Sequence, residues 1–173
     1  HDALPILNLQ NSILNGEVVT REPAYYAGGT AAAHSGQDWG NTYAEVDMSA
    51  QHMWYIQNGQ VVLETDVVTG EPIPSKITPE GVYSLMWKQP NSVLVGDINP
   101  DTGEPAYRTK VKYWMQVTSS GVGFHDATWQ TAFGGTLYQI PGTGSHGCIN
   151  MPLDQAGALF NMIEPGTPVI FHW

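Results

Sequence analysis

Short segments rich in aromatic and β-branched residues, separated by turn residues, recur along most of the chain from residue 41 onward. Two of them, QHMWYI and QVVLETDVV, flank the pair Asn58-Gly59. This dipeptide favours the type I′ turn of a β-hairpin, because both central residues of that turn need positive φ. A helical protein would show longer segments with a 3.6-residue period. The pattern therefore predicts a mainly β domain that opens with a β-meander.

Length and composition restrict what such a domain can be. The chain has 173 residues, enough for one core, and its 19 glycines and 12 prolines predict many turns. Hydrophobic residues make up 42% and charged residues only 13%, which excludes a disordered chain or a coiled coil. Six Lys and Arg stand against 16 Asp and Glu, for a formal net charge of −10. No basic cluster is apparent, so nucleic acid is not an expected partner.

Two further segments have a recognisable pattern. Leu153, Ala156, Phe160 and Ile163 recur with helical spacing before Pro165-Gly166, which predicts one short helix, and a strand is expected at 167–171. Residues 82–88 are expected to form a single strand. Residues 89–109 combine several Pro and Gly with little periodicity, which is typical of a long loop that serves as a lid. A decorated hairpin without a role is the alternative for this segment.

The single cysteine, Cys148, lies in the string SHGCIN at 145–150. One cysteine excludes an internal disulfide and leaves an inert buried thiol, an intermolecular link or a nucleophile. His146 precedes it by two residues, so both side chains share a face if the segment is extended. Gly147 between them lets backbone amides approach a bound oxygen. These neighbours favour a nucleophile, with a buried thiol beside a loop histidine as the alternative.

A second histidine strengthens that interpretation. His125 lies in GVGFHDATW, at the end of a predicted strand and 23 residues before Cys148. A histidine at the rim of a sheet can act as general base when a carbonyl or carboxylate fixes its tautomer. The pair predicts a thiol enzyme whose cysteine is activated by histidine.

These residues carry a family resemblance. His125, a gap of 19 residues and then the string from Ser145 to Asn150 resemble the signature of the L,D-transpeptidase (YkuD-type) catalytic domain of bacterial cell-wall enzymes. The resemblance covers residues 41–173. Residues 1–40 resemble a connector that joins this domain to an upstream module in Gram-positive members. The resemblance implies a membrane-anchored parent protein that acts on the outer side of the cell envelope.

The resemblance also implies a fold and a reaction. The fold would be a mainly β sandwich with one or two short helices and a lid loop. Cys148 would attack the carbonyl before D-Ala at position four of a peptidoglycan stem peptide, release D-Ala and pass the acyl group to an acceptor amine, which forms a 3→3 crosslink. The donor and acceptor stems are the implied partners, carbapenem β-lactams the implied inhibitors, and no cofactor or metal is implied.

The resemblance assigns roles to particular residues. His125 would be the base, oriented by a nearby carbonyl or by Ser145. His146, Gly147 and the amide of Cys148 would shape the oxyanion pocket. The implied substrate-binding residues are Asp126, Trp129, Asn150, Tyr113 and Trp114. Some family members carry Ser or Gly at the position of Asp126, which leaves the role of that side chain open.

Three other functions fit the same residues. An L,D-carboxypeptidase would use the same thiol with water in place of the acceptor amine. A zinc site could be built from His125, His146 and Cys148, because catalytic zinc commonly has three protein ligands. A wall-binding module without catalysis could stack its aromatic residues on sugars.

Overall fold

The structure, a computed structural model, describes residues 39–173. The predicted connector over residues 1–40 lies outside the described residues except for its last two positions. The domain contains two β-sheets, one α-helix and a short 3-10 turn at Leu137–Gln139. The strands of the first sheet are β1 (Tyr43–Asp47), β2 (His52–Gln57), β3 (Gln60–Asp66), β4 (Gly81–Ser84) and β9 (Pro168–His172). Those of the second are β5 (Trp87–Val95), β6 (Arg108–Gln116), β7 (Gly123–Asp126) and β8 (Ile149–Met151).

The strand order is β3-β2-β1-β9-β4 in the first sheet and β5-β6-β7-β8 in the second. Neighbours pair antiparallel except for β1 with β9 and β7 with β8, which run parallel. The helix α1 (Leu153–Met162) follows β8 and packs against β6 and β7. The predicted mainly β fold and the single helix are confirmed. Among residues 39–173, no helix is long and apolar enough to cross a membrane.

The opening hairpin forms as the Asn-Gly pair predicts. Asn58 and Gly59 both have positive φ, 53° and 78°, and the strands on either side pair at Gln57 and Gln60. Positive φ at both central positions is the geometry of a type I′ turn, whose twist matches that of the flanking strands. This hairpin starts the first sheet.

The hydrophobic core unites the two sheets and the helix, and it fixes the strands that carry the site. Phe124, Ile149 and Met151 are completely buried, and the ring of Phe124 meets that of Phe171 at 6.0 Å between centroids. Side chains alternate along a strand, so burial of Phe124 directs its neighbour His125 to the opposite face. The core thus holds β7 and β8 in place beneath the catalytic candidates.

The segment expected to form one strand at 82–88 is divided between the two sheets. Residues up to Ser84 belong to β4, and β5 begins at Trp87. At the crossing, the Leu85 N–H donates to the Thr167 carbonyl and the Met86 N–H donates to the Gln116 carbonyl. Because Leu85 is buried, the chain changes sheets without exposing its apolar side chain.

The segment at 89–109 is not an irregular loop. Its first residues, up to Val95, belong to β5, its last residues, from Arg108, belong to β6, and the two strands pair as a hairpin. Pro90 lies within β5, which is the edge strand of its sheet, where a residue without an N–H is tolerated. Asn91 has a φ of 55°, which interrupts the regular extended geometry of this edge. Only residues 96–107 form a connection, so the predicted lid is a hairpin with a long tip.

Candidate active site

The parallel pairing of β7 with β8 brings the two catalytic candidates together. His125 is in register with Asn150, and Cys148 immediately precedes β8. Both line one cavity of about 250 Å³. Its other lining residues are Leu94, Tyr107, Thr109, Trp129, Gly142, Thr143, Gly144, Ser145, His146 and Asn150. The topology therefore joins residues that are 23 positions apart in the sequence.

His125 is buried, and its tautomer follows from its hydrogen bond. Its Nδ1 lies 3.0 Å from the carbonyl oxygen of Asp126. A carbonyl oxygen only accepts, so Nδ1 carries the proton and Nε2 has the free lone pair of the neutral ring. Burial lowers the pKa of His125, and the hydrogen bond to Asp126 and its charge oppose that shift. Of the two orienting groups predicted, the carbonyl is the one that contacts His125.

Cys148 is held as a neutral thiol. Its Sγ–H donates to the carbonyl oxygen of Gly121 at 3.6 Å. Burial raises the pKa of Cys148 to about 11, and a hydrogen bond from the backbone of Gly123 opposes that shift. Because the thiol is protonated at neutral pH, attack on a carbonyl requires a base that removes this proton. The neutral imidazole of His125 in the same cavity is suited to that task.

Ser145 builds the turn that presents Cys148. Its hydroxyl donates to the Cys148 carbonyl at 2.6 Å and accepts from the Gly147 N–H at 3.0 Å. Gly147 has a φ of +117°, a conformation that residues with a Cβ rarely adopt. The Gly147 N–H is therefore engaged, whereas the Cys148 N–H makes no hydrogen bond within residues 39–173. The amide of Cys148 is thus the free candidate for stabilising an oxyanion.

The neighbouring segment around residues 68–78 clamps this turn. The Ser145 N–H donates to the Thr69 carbonyl, and the Glu71 N–H donates to the Ser145 carbonyl. Glu71 is buried, and its Oε1 accepts from the Gly142 N–H at 3.0 Å and from the Lys76 Nζ at 2.9 Å. The hydrogen bond from Lys76 is the main cause that lowers the pKa of Glu71. A buried carboxylate thereby anchors the wall of the cavity at Gly142.

The β5–β6 hairpin reaches over the site through Tyr107. Its ring packs against His146, with centroids 4.9 Å apart and planes inclined by 41°. Burial, followed by the proximity of Cys148, raises the pKa of Tyr107. Sequence reasoning missed this residue. The sequence contains one indirect sign of how Tyr107 packs. Gly96 lies so close to the Tyr107 ring that a Cβ at this position would be only 2.6 Å from it.

The predicted residues Trp129, Trp114 and Asn150 lie around His125. The ring centroid of His125 is 5.9 Å from that of Trp129 and 6.0 Å from that of Trp114. Trp129 is 52% exposed at the mouth of the cavity, whereas Trp114 is buried. Asn150 donates from Nδ2 to Gln130 at 2.5 Å, and its buried Oδ1 has no hydrogen-bond partner within residues 39–173. A buried acceptor beside the cavity suits a donor on a ligand.

Tyr113 and Asp126 do not line the cavity of Cys148. The ring of Tyr113 packs against Phe160, with centroids 5.3 Å apart. The carboxylate of Asp126 is buried, and its Oδ1 accepts from the N–H groups of Lys112 and Tyr113, both at 2.8 Å. These side chains hold β6 and its neighbours together, so their positions do not support the predicted substrate contacts.

A metal centre is the alternative that draws on the same residues. Within residues 39–173, no group of three or more His, Cys, Asp or Glu side chains is arranged to hold a metal ion. Nδ1 of His125 is engaged by the Asp126 carbonyl, and the ring of His146 packs against Tyr107.

Comparisons with protein families and with known sequences both match this chain to L,D-transpeptidases. The profile of the YkuD family, described as the L,D-transpeptidase catalytic domain, matches residues 41–171. L,D-transpeptidase 1 of Mycobacterium tuberculosis is 30% identical over 126 residues, which span 70% of this chain and 47% of that protein. "Probable L,D-transpeptidase 3" of the same organism is 31% identical over 104 residues, 56% of this chain and 35% of that protein.

Solved structures give the same picture. The crystal structure of a mutant Enterococcus faecium L,D-transpeptidase superposes with a TM-score of 0.71 at 42% identity, covering 96% of this chain and 62% of that one. The catalytic domain of the E. faecium enzyme acylated by ertapenem is 46% identical, with a TM-score of 0.64 over 76% of this chain and 97% of that one. The chain spans less than half the length of the M. tuberculosis relatives. With a family match over most of its length and the histidine and cysteine in one cavity, the chain belongs to the YkuD family of L,D-transpeptidase catalytic domains.

Proposed function

We propose that this domain catalyses L,D-transpeptidation of peptidoglycan stem peptides. The observation that carries the proposal is a protonated Cys148 thiol in one cavity with a His125 ring whose Nε2 is free to accept a proton. Membership of the family supplies the substrate class. The substrates, partners and activity that we propose for the whole protein follow from this activity of the domain.

The first half of the reaction forms a thioester. The Cys148 sulfur attacks the carbonyl before D-Ala at position four while its proton passes to Nε2 of His125. The Cys148 N–H stabilises the oxyanion of the tetrahedral intermediate. The carbon–nitrogen bond then breaks, and the proton on His125 moves to the departing amine of D-Ala. Atoms and charges balance without a cofactor.

The second half passes the acyl group to the acceptor. The side-chain amine at the third position of another stem attacks the thioester, and its proton returns through His125 to the departing thiolate. This step forms the 3→3 crosslink and regenerates the enzyme. Water in place of the amine would give hydrolysis, so exclusion of water by the β5–β6 hairpin decides the product.

Defined tetrapeptide stems test the proposal directly. Incubation with the domain followed by mass spectrometry should show free D-Ala together with a crosslinked dimer. Free D-Ala with a tripeptide and no dimer would assign the domain as an L,D-carboxypeptidase. Unchanged tetrapeptide, together with retention on purified peptidoglycan, would indicate a binding module.

We extend the proposal to inhibitors and to location. The E. faecium catalytic domain in the solved structure is acylated by ertapenem, and we expect a carbapenem to acylate Cys148 in the same way. Peptidoglycan as substrate places the working domain in the cell envelope, on its extracellular side. We also propose that residues 1–40 connect this domain to an upstream module of a membrane-anchored parent protein.

Shortening the tip of the hairpin is expected to change the fate of the acyl group. We would replace residues 98–105 by Asn-Gly, which retains Leu94 and Tyr107 in the cavity wall. A smaller lid admits more water, so the ratio of tripeptide to dimer should rise severalfold while alkylation of the thiol by iodoacetamide persists. Mass spectrometry of the products measures the ratio. An unchanged ratio would contradict a lid role for the tip.

Removing the carboxylate of Glu71 is expected to loosen the cavity wall. Glu71→Ala removes the acceptor of the Gly142 N–H and the partner of Lys76, and we expect acylation by ertapenem to slow about tenfold. Glu71→Gln retains an oxygen that can accept from the Gly142 N–H, so it should slow acylation less than Glu71→Ala does. Glu164→Ala is the matched control, because it removes the partner of Lys88 elsewhere in the domain. Equal effects of the Glu71→Ala and Glu164→Ala variants would contradict the clamp.

A further inference from the structure

Basic side chains are scarce in this chain, and the structure divides the described ones into two groups. The whole chain has six Lys and Arg against 16 Asp and Glu. Lys76 pairs with Glu71 at 2.9 Å and Lys88 pairs with Glu164 at 3.0 Å. The other basic residues form no ion pair within residues 39–173, and these are Arg108, Lys110 and Lys112. All the unpaired cations of the described part thus lie on one strand.

Strand geometry arranges these three cations in a row, which we call the basic line (Arg108, Lys110 and Lys112). They occupy alternate positions of β6, and all three are exposed. Successive members of the line are two residues, or about 7 Å, apart along the strand, so the line extends over about 14 Å. Between them, Thr109 lines the cavity of Cys148 and Val111 is buried. Alternation therefore places Arg108 and Lys110 on the face of the hairpin opposite that cavity, and Lys112 lies where the pairing of β5 with β6 is interrupted at Asn91. Sequence analysis did not detect this clustering.

A second cavity adjoins the basic line. It measures about 340 Å³, includes Lys110 and Lys112, and shares no lining residue with the 250 Å³ cavity of His125 and Cys148. A third cavity of about 550 Å³, which Cys148 also lines, shares Asn91, Ser92 and Val93 with it. Polar groups on its wall come from Asn91, Ser92 and Thr128. Asp126 also lines it, with a buried carboxylate whose Oδ1 already accepts two backbone N–H groups. Two lysines against one engaged carboxylate leave this cavity with excess positive charge.

We propose that the basic line and its adjoining cavity bind a linear polymer with repeated phosphodiester groups. Lysine ammonium groups bind phosphate oxygens as point charges, and none of these three cations forms an ion pair in the described part of the chain. A row of charges about 7 Å apart suits repeated anions better than one isolated anion. The side chains of Asn91, Ser92 and Thr128 supply hydrogen bonds for the uncharged units between phosphates.

Two other polyanions fit the face less well. Single-stranded nucleic acid is bound through aromatic side chains that stack on its bases, and the adjoining cavity has no aromatic lining residue. The aromatic residues of the neighbouring 550 Å³ cavity already pack on one another or on His125 and His146, and these are Trp87, Tyr107 and Trp114. An anionic membrane surface favours Trp, Phe or Leu beside the cations, whereas the exposed apolar residues opposite the line in β5 are Val93 and Val95. A polymer bound at the basic line tethers the domain near its substrate without filling the 250 Å³ cavity that holds His125 and Cys148.

A short synthetic hexamer of glycerol phosphate is the probe for this proposal. Titration into the domain at about 20 mM salt, followed by calorimetry, should give saturable binding that weakens steeply as salt rises, as expected for contacts with phosphates. The Lys110→Gln/Lys112→Gln variant should bind at least tenfold more weakly. Alkylation of Cys148 by iodoacetamide and the Tm should match wild type, because neither lysine lines the catalytic cavity.

The matched control changes the net charge by the same amount elsewhere. Gln57→Glu/Gln60→Glu also lowers the net charge by two, at exposed positions that flank the Asn58-Gly59 turn, and should alter the affinity less than twofold. Absence of binding by the wild-type domain, or equal weakening in both variants, would overturn the proposal. Equal or tighter binding of a glutamate hexamer, a thymidine hexanucleotide or phosphatidylglycerol vesicles would also overturn it, since each assigns the face to another partner.

Discussion

Replacing Cys148 with alanine is expected to abolish release of D-Ala and acylation by ertapenem. Cys148 is the only cysteine in the chain, and it lies beside the free amide that would stabilise the oxyanion. No other side chain in the cavity can form the thioester, so activity should fall by at least about 10⁴-fold, to background. Mass spectrometry of the intact protein after ertapenem treatment should show no adduct in the variant.

The control for this experiment separates chemistry from folding. The Ser145 hydroxyl contacts the backbone carbonyl of Cys148, a contact that alanine retains, so the circular dichroism spectrum and Tm should stay close to wild type. D-Ala release by a folded Cys148→Ala variant would overturn the assignment of the nucleophile.

Replacing His125 with alanine is expected to slow acylation by about two to four orders of magnitude, the usual loss for a general base. The wild type and the variant should differ most clearly in how the acylation rate depends on pH. In the wild-type domain, His125 must be neutral, and burial lowers its pKa below the ordinary value. The rate should therefore level off above that pKa and fall as the solution becomes more acidic.

The variant should behave differently at high pH. Without the imidazole, attack needs direct loss of the thiol proton, and the pKa of Cys148 is raised to about 11. The rate in His125→Ala should therefore continue to rise through pH 9 and 10, where the wild type is level. Ertapenem acylation measured by stopped-flow absorbance between pH 5 and 10 separates the two profiles.

His146→Ala is the matched control for the role of base. His146 is exposed and packs on Tyr107, so its loss should slow acylation less and leave the level region of the pH profile in place. A profile that rises continuously in His146→Ala but not in His125→Ala would transfer the role of base to His146. Cys148 would remain the nucleophile in that case.

The titration of His125 also affects stability. Its folded pKa is lowered, so an unfolded chain takes up the proton first as the pH falls through the ordinary histidine pKa of about 6.5. The free energy of unfolding should therefore decrease as the pH drops below that value, until the folded protein also binds the proton. His125→Ala should flatten this part of the stability profile in urea titrations.

Several features of this protein were determined by residues close together in the sequence. Asn58-Gly59 specifies its hairpin because two adjacent residues adopt positive φ, and α1 follows from the period of its apolar residues. The turn before Cys148 also depends on a local conformation, because Gly147 adopts a φ of +117°. The sequence predicts Cys148 as the nucleophile because one short string carries the thiol and its backbone amides.

Other features depended on which distant strands pair. Tyr107 reaches His146 only because β5 and β6 form a hairpin, and Glu71 reaches Gly142 across 71 positions of sequence. Ser145 could be predicted at the site, but its bond to the Cys148 carbonyl rather than to His125 depends on the three-dimensional turn. Likewise, β4 and β5 separate because β4 pairs with β9 in the first sheet and β5 pairs with β6 in the second. Local propensity acts over a few residues, whereas burial and strand pairing link positions far apart, so only the tertiary structure decided these contacts.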